Sequence, residues 1–272
     1  MTAMRGKQLL EEIENCSLLP GRLAFWWFGQ MGFAVKMEKT VLFIDLYLTE
    51  DPAVPRRVPS LLKPMELEAE YLLGTHDHID HIDREAWREI AARAPHTKFA
   101  VPRAHVRSLS QDLGIPSSRL IGINEGESVM LGDIKVTGIA AAHEFLERDG
   151  SGNFLNLSYI LEGGGLRVFH AGDMCLYEGL IAKLKTFGGF DVMFVPINGR
   201  DGRRLASGCL GNTTFQEAAD FCGALKPRLC VPGHYDMFEG NCENPERFAE
   251  YVRVKYPDQA LWFGEYGRKV TV

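Results

Sequence analysis

Apolar and aromatic residues come in short, closely spaced runs through the N-terminal third of the chain. Leu23-Ala24-Phe25-Trp26-Trp27-Phe28 and Phe33-Ala34-Val35-Lys36-Met37 flank Gly29 and Gly32, and Thr40-Val41-Leu42-Phe43-Ile44-Asp45 follows a charged turn. β-Branched and aromatic runs broken by turn residues predict a meander of strands. Ahead of them, residues 1–16 place Leu9, Leu10 and Ile13 among Glu11, Glu12 and Glu14, the spacing of a short amphipathic helix. Residues 51–64 hold Pro52, Pro55, Pro59 and Pro64, too many prolines for a helix or a ladder, so this stretch is an irregular excursion. A strand through Tyr71-Leu72-Leu73 ends at Gly74, and Asp83 then caps a helix running through Ile90.

The second half repeats the theme. Residues 127–142 read as two strands joined at Gly132-Asp133, and 155–161 with 166–170 as a hairpin around Gly163-Gly164-Gly165. Stretches 191–196 and 228–232 read as buried strands, and 213–225 and 245–254 as helices. Strands outnumber helices and the helices fall between strand groups, which predicts sheets packed together with helices outside. No linker interrupts the pattern, so residues 1–272 are read as a single domain.

Composition narrows the class. In 272 residues, 46% hydrophobic and 24% charged content is ordinary for a globular protein. Thirty Lys and Arg against 36 Asp and Glu give a net charge of −6, which argues against a nucleic-acid partner. No apolar run is long enough to span a bilayer, and residues 1–16 lack the apolar core of a signal peptide. Cys16, Cys175, Cys209, Cys222, Cys230 and Cys242 form no C-x-x-C pair, so the expectation is reduced thiols in a cytoplasm.

The chemistry concentrates in His76-Asp77-His78-Ile79-Asp80-His81, directly after a predicted strand. Imidazole and carboxylate are ligands for divalent metals. Asp45, His143, Asp173 and His234 each follow another apolar run and begin a loop, as side chains aimed by strand ends into a common cleft do.

These residues carry a resemblance. Trp26-Trp27-Phe28-Gly29-Gln30-Met31-Gly32-Phe33, Thr75-His76-Asp77-His78-Ile79-Asp80-His81-Ile82-Asp83 and His170-Ala171-Gly172-Asp173 resemble the metallo-β-lactamase fold superfamily. Pro196-Ile197-Asn198-Gly199-Arg200 and Pro232-Gly233-His234-Tyr235-Asp236 extend the match over nearly the whole chain. Within the superfamily the chain is similar to L-ascorbate-6-phosphate lactonase-like metal-dependent hydrolases. The resemblance implies an α/β fold, an αβ/βα four-layer sandwich of two mixed sheets packed face to face. It implies two divalent metal ions, Zn²⁺ or Mn²⁺ with Fe²⁺ ranked behind. His76, His78 and His143 would bind the first, Asp80, His81 and His234 the second, and Asp173 would bridge. Asp45 would steady the histidine loop. The lactonase pattern has no clear histidine at the position of His143; this chain has one, which favours a full two-metal site.

The expected mechanism is attack by a metal-bound hydroxide, with Asp80 orienting the water or passing a proton to the leaving group. The expected substrate is small and anionic, a sugar acid or sugar phosphate whose lactone is opened, with Asn198, Arg200 and Tyr235 as its contacts. Arg203, Arg204 and the 144–153 loop are left open as further contacts, as is homo-oligomerisation. Two alternatives stand beside this reading: hydrolysis of a phosphodiester, and a metal-binding or sensing module without catalysis.

Overall fold

The computed structural model describes residues 4–272. Helix α1 (Gly6–Asn15) is followed by β1 (Leu23–Gly29), β2 (Gly32–Met37), β3 (Thr40–Ile44) and β4 (Tyr71–Leu73). Next come α2 (Arg84–Arg93), β5 (Lys98–Pro102), α3 (Val106–Leu113) and β6 (Leu120–Ile123). The second half holds β7 (Ser128–Leu131), β8 (Ile134–Ala140), β9 (Leu157–Gly163), β10 (Leu166–His170), α4 (Leu180–Lys185) and β11 (Val192–Pro196). It closes with α5 (Gly202–Ala206), α6 (Phe215–Leu225), β12 (Leu229–Gly233), α7 (Pro245–Lys255) and β13 (Lys269–Thr271).

Two mixed sheets result, ordered β13-β1-β2-β3-β4-β5-β6 and β12-β11-β10-β9-β8-β7. Each has an antiparallel half built by hairpins and a parallel half, β3 to β6 in one and β10 to β12 in the other. Strand β13 returns to the first sheet and pairs Ala24 with Thr271. Parallel strands need cover on both faces. Alternation along β1 supplies it: Phe25 and Trp27 face the second sheet, where the Phe25 ring meets that of Phe194, whereas Trp26 and Phe28 pack outward. There they meet Leu9 and Ile13 of α1, Trp87 of α2 and Leu109 of α3. Helices α4, α6 and α7 cover the second sheet through Leu184, Phe221 and Phe248. The result is the four-layer metallo-β-lactamase sandwich.

The N-cap expectation for Asp83 is met, since its carboxylate accepts from Ala86 N. It also accepts from Leu48 N, Thr49 N and Thr49 Oγ1, pinning the end of the β3 segment to α2. Strands β5, β6 and β13 and helices α3 and α4 had no clear signal, being short or broken by Gly and Pro. The polar loop expected around Arg203 and Arg204 contains α5, capped by Asp201. The cysteine expectation needs correction: Cys222 of α6 and Cys230 of β12 are joined as a disulfide. They are eight positions apart in sequence, and the α6–β12 connection folds back so that both face the same core. Among the described residues no helix is long and apolar enough to cross a membrane.

Candidate metal centre

The parallel halves of the two sheets end toward the same edge, and ligands in such sheets bind outside the carboxyl ends of the strands. Asp45 follows β3, the Thr75–Asp83 loop follows β4, Asp173 follows β10 and His234 follows β12. Close backbone approach is needed where these ends converge. A Cβ on Gly172 would lie 2.8 Å from Thr75 Cβ, and Gly172 has φ +60°. Asp45 and His234 themselves sit at φ 51° and 55°, the left-handed conformation that turns each side chain out of its strand.

The donor atoms fall into three overlapping groups, each within 4.8 Å of one another: His76, His78 and His143; Asp80, His81 and His234; and His76, His81 and Asp173. Asp173 stands between the other two. Its Oδ2 lies 3.1 Å from His234 Nε2 and 3.7 Å from His143 Nε2, and its Oδ1 lies 3.3 Å from His81 Nε2. His81 Nε2 and Asp173 Oδ1 are buried and neither makes a hydrogen bond among the described residues. Two buried polar atoms left without a partner amid converging imidazoles and carboxylates are what a metal ion would take up once the His81 proton is displaced, so the donor set fits a divalent cation. Cys175 is not among these groups; its Sγ donates to Gly211 O at 3.3 Å.

The far side of each ring is held by the protein. His81 Nδ1 lies 2.8 Å from Asp45 Oδ2, which fixes the proton there and turns Nε2 to the cluster. Asp45 also accepts from Thr75 N and Thr75 Oγ1, both at 2.8 Å, so one buried carboxylate sets both the loop and its histidine. His143 Nδ1 donates to Gly211 O at 3.1 Å, and His76 Nδ1 is 3.1 Å from Thr75 Oγ1. His170 lies one step back: its Nε2 donates to Met31 O and its Nδ1 accepts from Gly172 N.

Burial lowers the pKa of His76, His78 and His143 and keeps them neutral. Burial also opposes charge on His81 and His234, but there the carboxylates outweigh it. Asp173, Asp45 and Asp80 raise His81 well above the usual imidazole value, and Asp173 and Asp80 raise His234 to about 10. Asp80 and Asp173 are in turn held well below the carboxylate range by those two histidines, against the burial that favours their neutral form.

Sequence reasoning gave no role to Gln30, the polar residue of the Gly29-Gln30-Met31-Gly32 turn. It is fully buried at φ 48°, donates from Nε2 to Asp80 Oδ2 at 3.1 Å and lies 3.2 Å from the His234 ring. A lone amide inside an apolar run was the available signal. Gly211 was missed too. Its carbonyl accepts from both His143 and Cys175, and its N–H donates to Glu144 Oε1.

A cavity of about 550 Å³ opens on the cluster, lined by His78, Asp80, His143, Asp173 and His234 on one side. A larger cavity, about 670 Å³ near Arg5, Glu50 and Glu89, holds none of these donors. The three residues expected to contact substrate do not line the 550 Å³ cavity. Tyr235 is buried with its ring 5.0 Å from that of Trp27. Arg200 makes a bidentate pair with Glu217 at 2.7 Å. Asn198 bonds Asn212 and Asn241, so it acts on the cavity only through Asn241, which does line it. Arg204 is tied to Asp201, Asn241 and Cys242 O, and Arg203 is exposed. The 144–153 loop is an ordered turn closed by Asp149 accepting from Ser151 N and Asn153 N.

Two mixed sheets with a His/Asp cluster at their shared edge define a metallo-β-lactamase superfamily protein. The family model described as "Beta-lactamase superfamily domain" matches residues 49–235. The chain is 31% identical to a UPF0173 metal-dependent hydrolase of Archaeoglobus fulgidus, covering 84% of this chain and 90% of that one. A Thermococcus onnurineus relative of the same description is 31% identical over 84% of this chain and 91% of its own. The chain therefore belongs to the UPF0173 metal-dependent hydrolase family. Its fold matches Igni18, a metallo hydrolase from Ignicoccus hospitalis, with TM-score 0.72 and 22% identity over 92% of this chain and 98% of that one.

Proposed function

We propose that this metal-dependent hydrolase cleaves a small activated carbonyl substrate, a lactone in first place, using two divalent ions, Zn²⁺ or Mn²⁺. The observation that carries the reading is the pair of three-donor groups flanking Asp173 at the floor of one cavity. His76, His78 and His143 would hold one ion, Asp80, His81 and His234 the other, and Asp173 both. When bound, such ions supply an activated water at neutral pH and Lewis-acid polarisation of the substrate oxygen.

The chain's own residues do the rest. Asp45 and Gly211 O keep the rings of His81 and His143 in the tautomer that presents Nε2. Gln30 takes up one lone pair of Asp80 Oδ2 and so orients that carboxylate. Asp80 faces the cavity and is positioned to relay a proton to the leaving oxygen as the ring C–O bond breaks. Water adds its oxygen to the carbonyl carbon, and the products are a hydroxyl and a carboxylate. An anionic substituent on the substrate loses its main support, because Arg200 is paired with Glu217. Free Cys16, Cys175, Cys209 and Cys242 support a cytoplasmic setting, with the Cys222–Cys230 pair the feature pointing the other way.

The test is a hydrolase screen of protein loaded separately with Zn²⁺ and Mn²⁺ against lactones, an aryl phosphodiester and thioesters. Lactone opening is expected, falling by about 100-fold or more in His78→Ala. Phosphodiester cleavage without lactone opening would reassign the reaction. Absence of stoichiometric metal by elemental analysis would reject the site.

A further inference from the structure

Away from the donor floor, the cavity changes character. Val54, Pro55, Ile79, Leu210 and Phe238 line it. Ile79 and Leu210 are 51% and 39% exposed, apolar side chains left in water at the mouth of a concave site. The Phe238 ring is held against that of Tyr47, 5.7 Å away, so this part of the wall is fixed. No Lys or Arg lines the cavity. Of the guanidinium groups around it, Arg200 is paired with Glu217 and Arg204 with Asp201 and Cys242 O, while Arg57, outside the lining, donates to the Cys242 thiol. The charged lining residues apart from the donor cluster are both acidic, Asp77, which is paired with Arg84, and Glu239.

We propose that the unreactive part of the substrate is an uncharged apolar group, seated on the wall of Val54, Pro55, Ile79, Leu210 and Phe238. The inference rests on reading the floor as the reacting end of a small carbonyl substrate. An apolar group on this wall displaces water from surface that nothing else covers, which is the dominant favourable term in such sites. A carboxylate or phosphate in its place would face Asp77 and Glu239 with no guanidinium or ammonium among the lining residues, and would lose hydration without a partner in the wall. The pocket volume lies within the range of sites that enclose small ligands. Recognition then divides the molecule: the floor reads the carbonyl, and the wall reads the length of an aliphatic or aryl substituent.

The test uses Zn²⁺-loaded protein and γ-lactones with no substituent, with linear alkyl chains of increasing length, and with a ring carboxylate. We expect kcat/KM to rise about four-fold per buried methylene until the wall is filled, with the carboxylate at or below the unsubstituted ring. A flat series, or a preference for the carboxylate, overturns the inference while leaving lactone hydrolysis intact. Binding of 2-alkyltetrahydrofurans, which keep ring and chain but cannot be hydrolysed, is followed by calorimetry as an independent readout. Tighter binding with chain length and no turnover of any lactone would uphold the wall and reject the proposed reaction. Leu210→Asp, at an exposed position where folding is not at risk, should flatten both series. If a second copy of the chain covers this wall instead, light scattering would show a dimer that Leu210→Asp dissociates, with no dependence on chain length, and the inference fails.

Discussion

The floor and the wall of the cavity are built on opposite plans. Each floor side chain arrives from a strand end, and three of the histidines have the atom facing away from the cluster tied to a named protein group: His81 to Asp45, His143 to Gly211 O, His76 to Thr75. The wall comes from the proline-rich excursion, the loop after α5, the loop after β12 and, through Ile79 alone, the histidine loop, and its apolar side chains make no directional bonds. Metal coordination tolerates errors of a few tenths of an ångström, so it needs rigid elements and outer partners. Apolar contact is non-directional and tolerates repacking. A chain can therefore keep its reacting centre and change what it reacts with by altering loops alone.

The comparison breaks most sharply at Asp45. Asp45→Asn removes the carboxylate that orders His81 Nδ1–H and replaces one of its oxygens with an amide donor facing Thr75 or His81. Stepwise metal titration should show affinity in the Asp80–His81–His234 group falling by about 10- to 100-fold, with the His76–His78–His143 group much less affected. Equal loss in both groups would mean that Asp45 supports the whole loop and not one ligand. The alkyl-chain dependence of tetrahydrofuran binding should largely survive, since Val54, Pro55, Leu210 and Phe238 do not lean on Asp45 and only Ile79 shares its loop.

The legibility of the two regions differs for the same reason. His76, His78, Asp80 and His81 lie within six residues, and His143, Asp173 and His234 each end an apolar run, so strand ends reveal them as candidates. Most strands were legible too, because continuous apolar runs such as Leu23–Phe28 are demanded by burial on both faces. The wall was not legible. Val54, Ile79, Leu210 and Phe238 come from four separate segments, and only the fold makes them neighbours. Arg200 looked like a substrate contact because its type suits anions; Glu217, seventeen residues on, takes it instead. Tyr235 adjoins His234 in sequence, but successive residues leaving a strand point apart, and its ring packs at a tilt against Trp27.

A second way to sharpen the comparison is pH. The pKa of His81 is raised well above the imidazole range and that of His234 to about 10, so both rings carry protons near neutrality in metal-stripped protein. Metal entry must expel them. Calorimetric titration in buffers of different ionisation enthalpy should register about one to two protons released per chain at pH 7, and affinity should rise by about ten-fold per pH unit per proton. The sign for stability follows. A raised folded-state pKa contributes stability that is complete below the unfolded histidine value and lost as pH climbs through about 10. Metal-stripped protein should thus melt at lower temperature as pH rises from 7 toward 10, and metal-loaded protein should not follow it. Binding of the alkyl tetrahydrofurans, whose wall contacts do not titrate, should be nearly independent of pH over the same interval. Metal binding without proton release would show that the two histidines are neutral beforehand.

Gly211 is where floor and wall join, and it offers the smallest and most discriminating change. Its carbonyl accepts from His143 Nδ1 on the floor side, and Leu210, its neighbour in the chain, belongs to the wall. A Cβ at this position would lie 2.6 Å from Arg200 Cβ and 2.8 Å from Glu144 Oε1. The Glu144 carboxylate can swing away, but Arg200 Cβ cannot move without its backbone, so the segment 209–212 must shift. Overpacking of this kind costs about 1–3 kcal/mol in stability. If the shift is shared, Gly211→Ala turns His143 slightly and weakens metal binding in the His76–His78–His143 group by roughly ten-fold or less. It should also displace Leu210 enough to lower the chain-length dependence of tetrahydrofuran binding. Loss of both together would make this loop the coupling between metal and substrate selection. A lower melting temperature with metal affinity and chain-length dependence unchanged would show the two regions to be independent, each held by its own side of the fold.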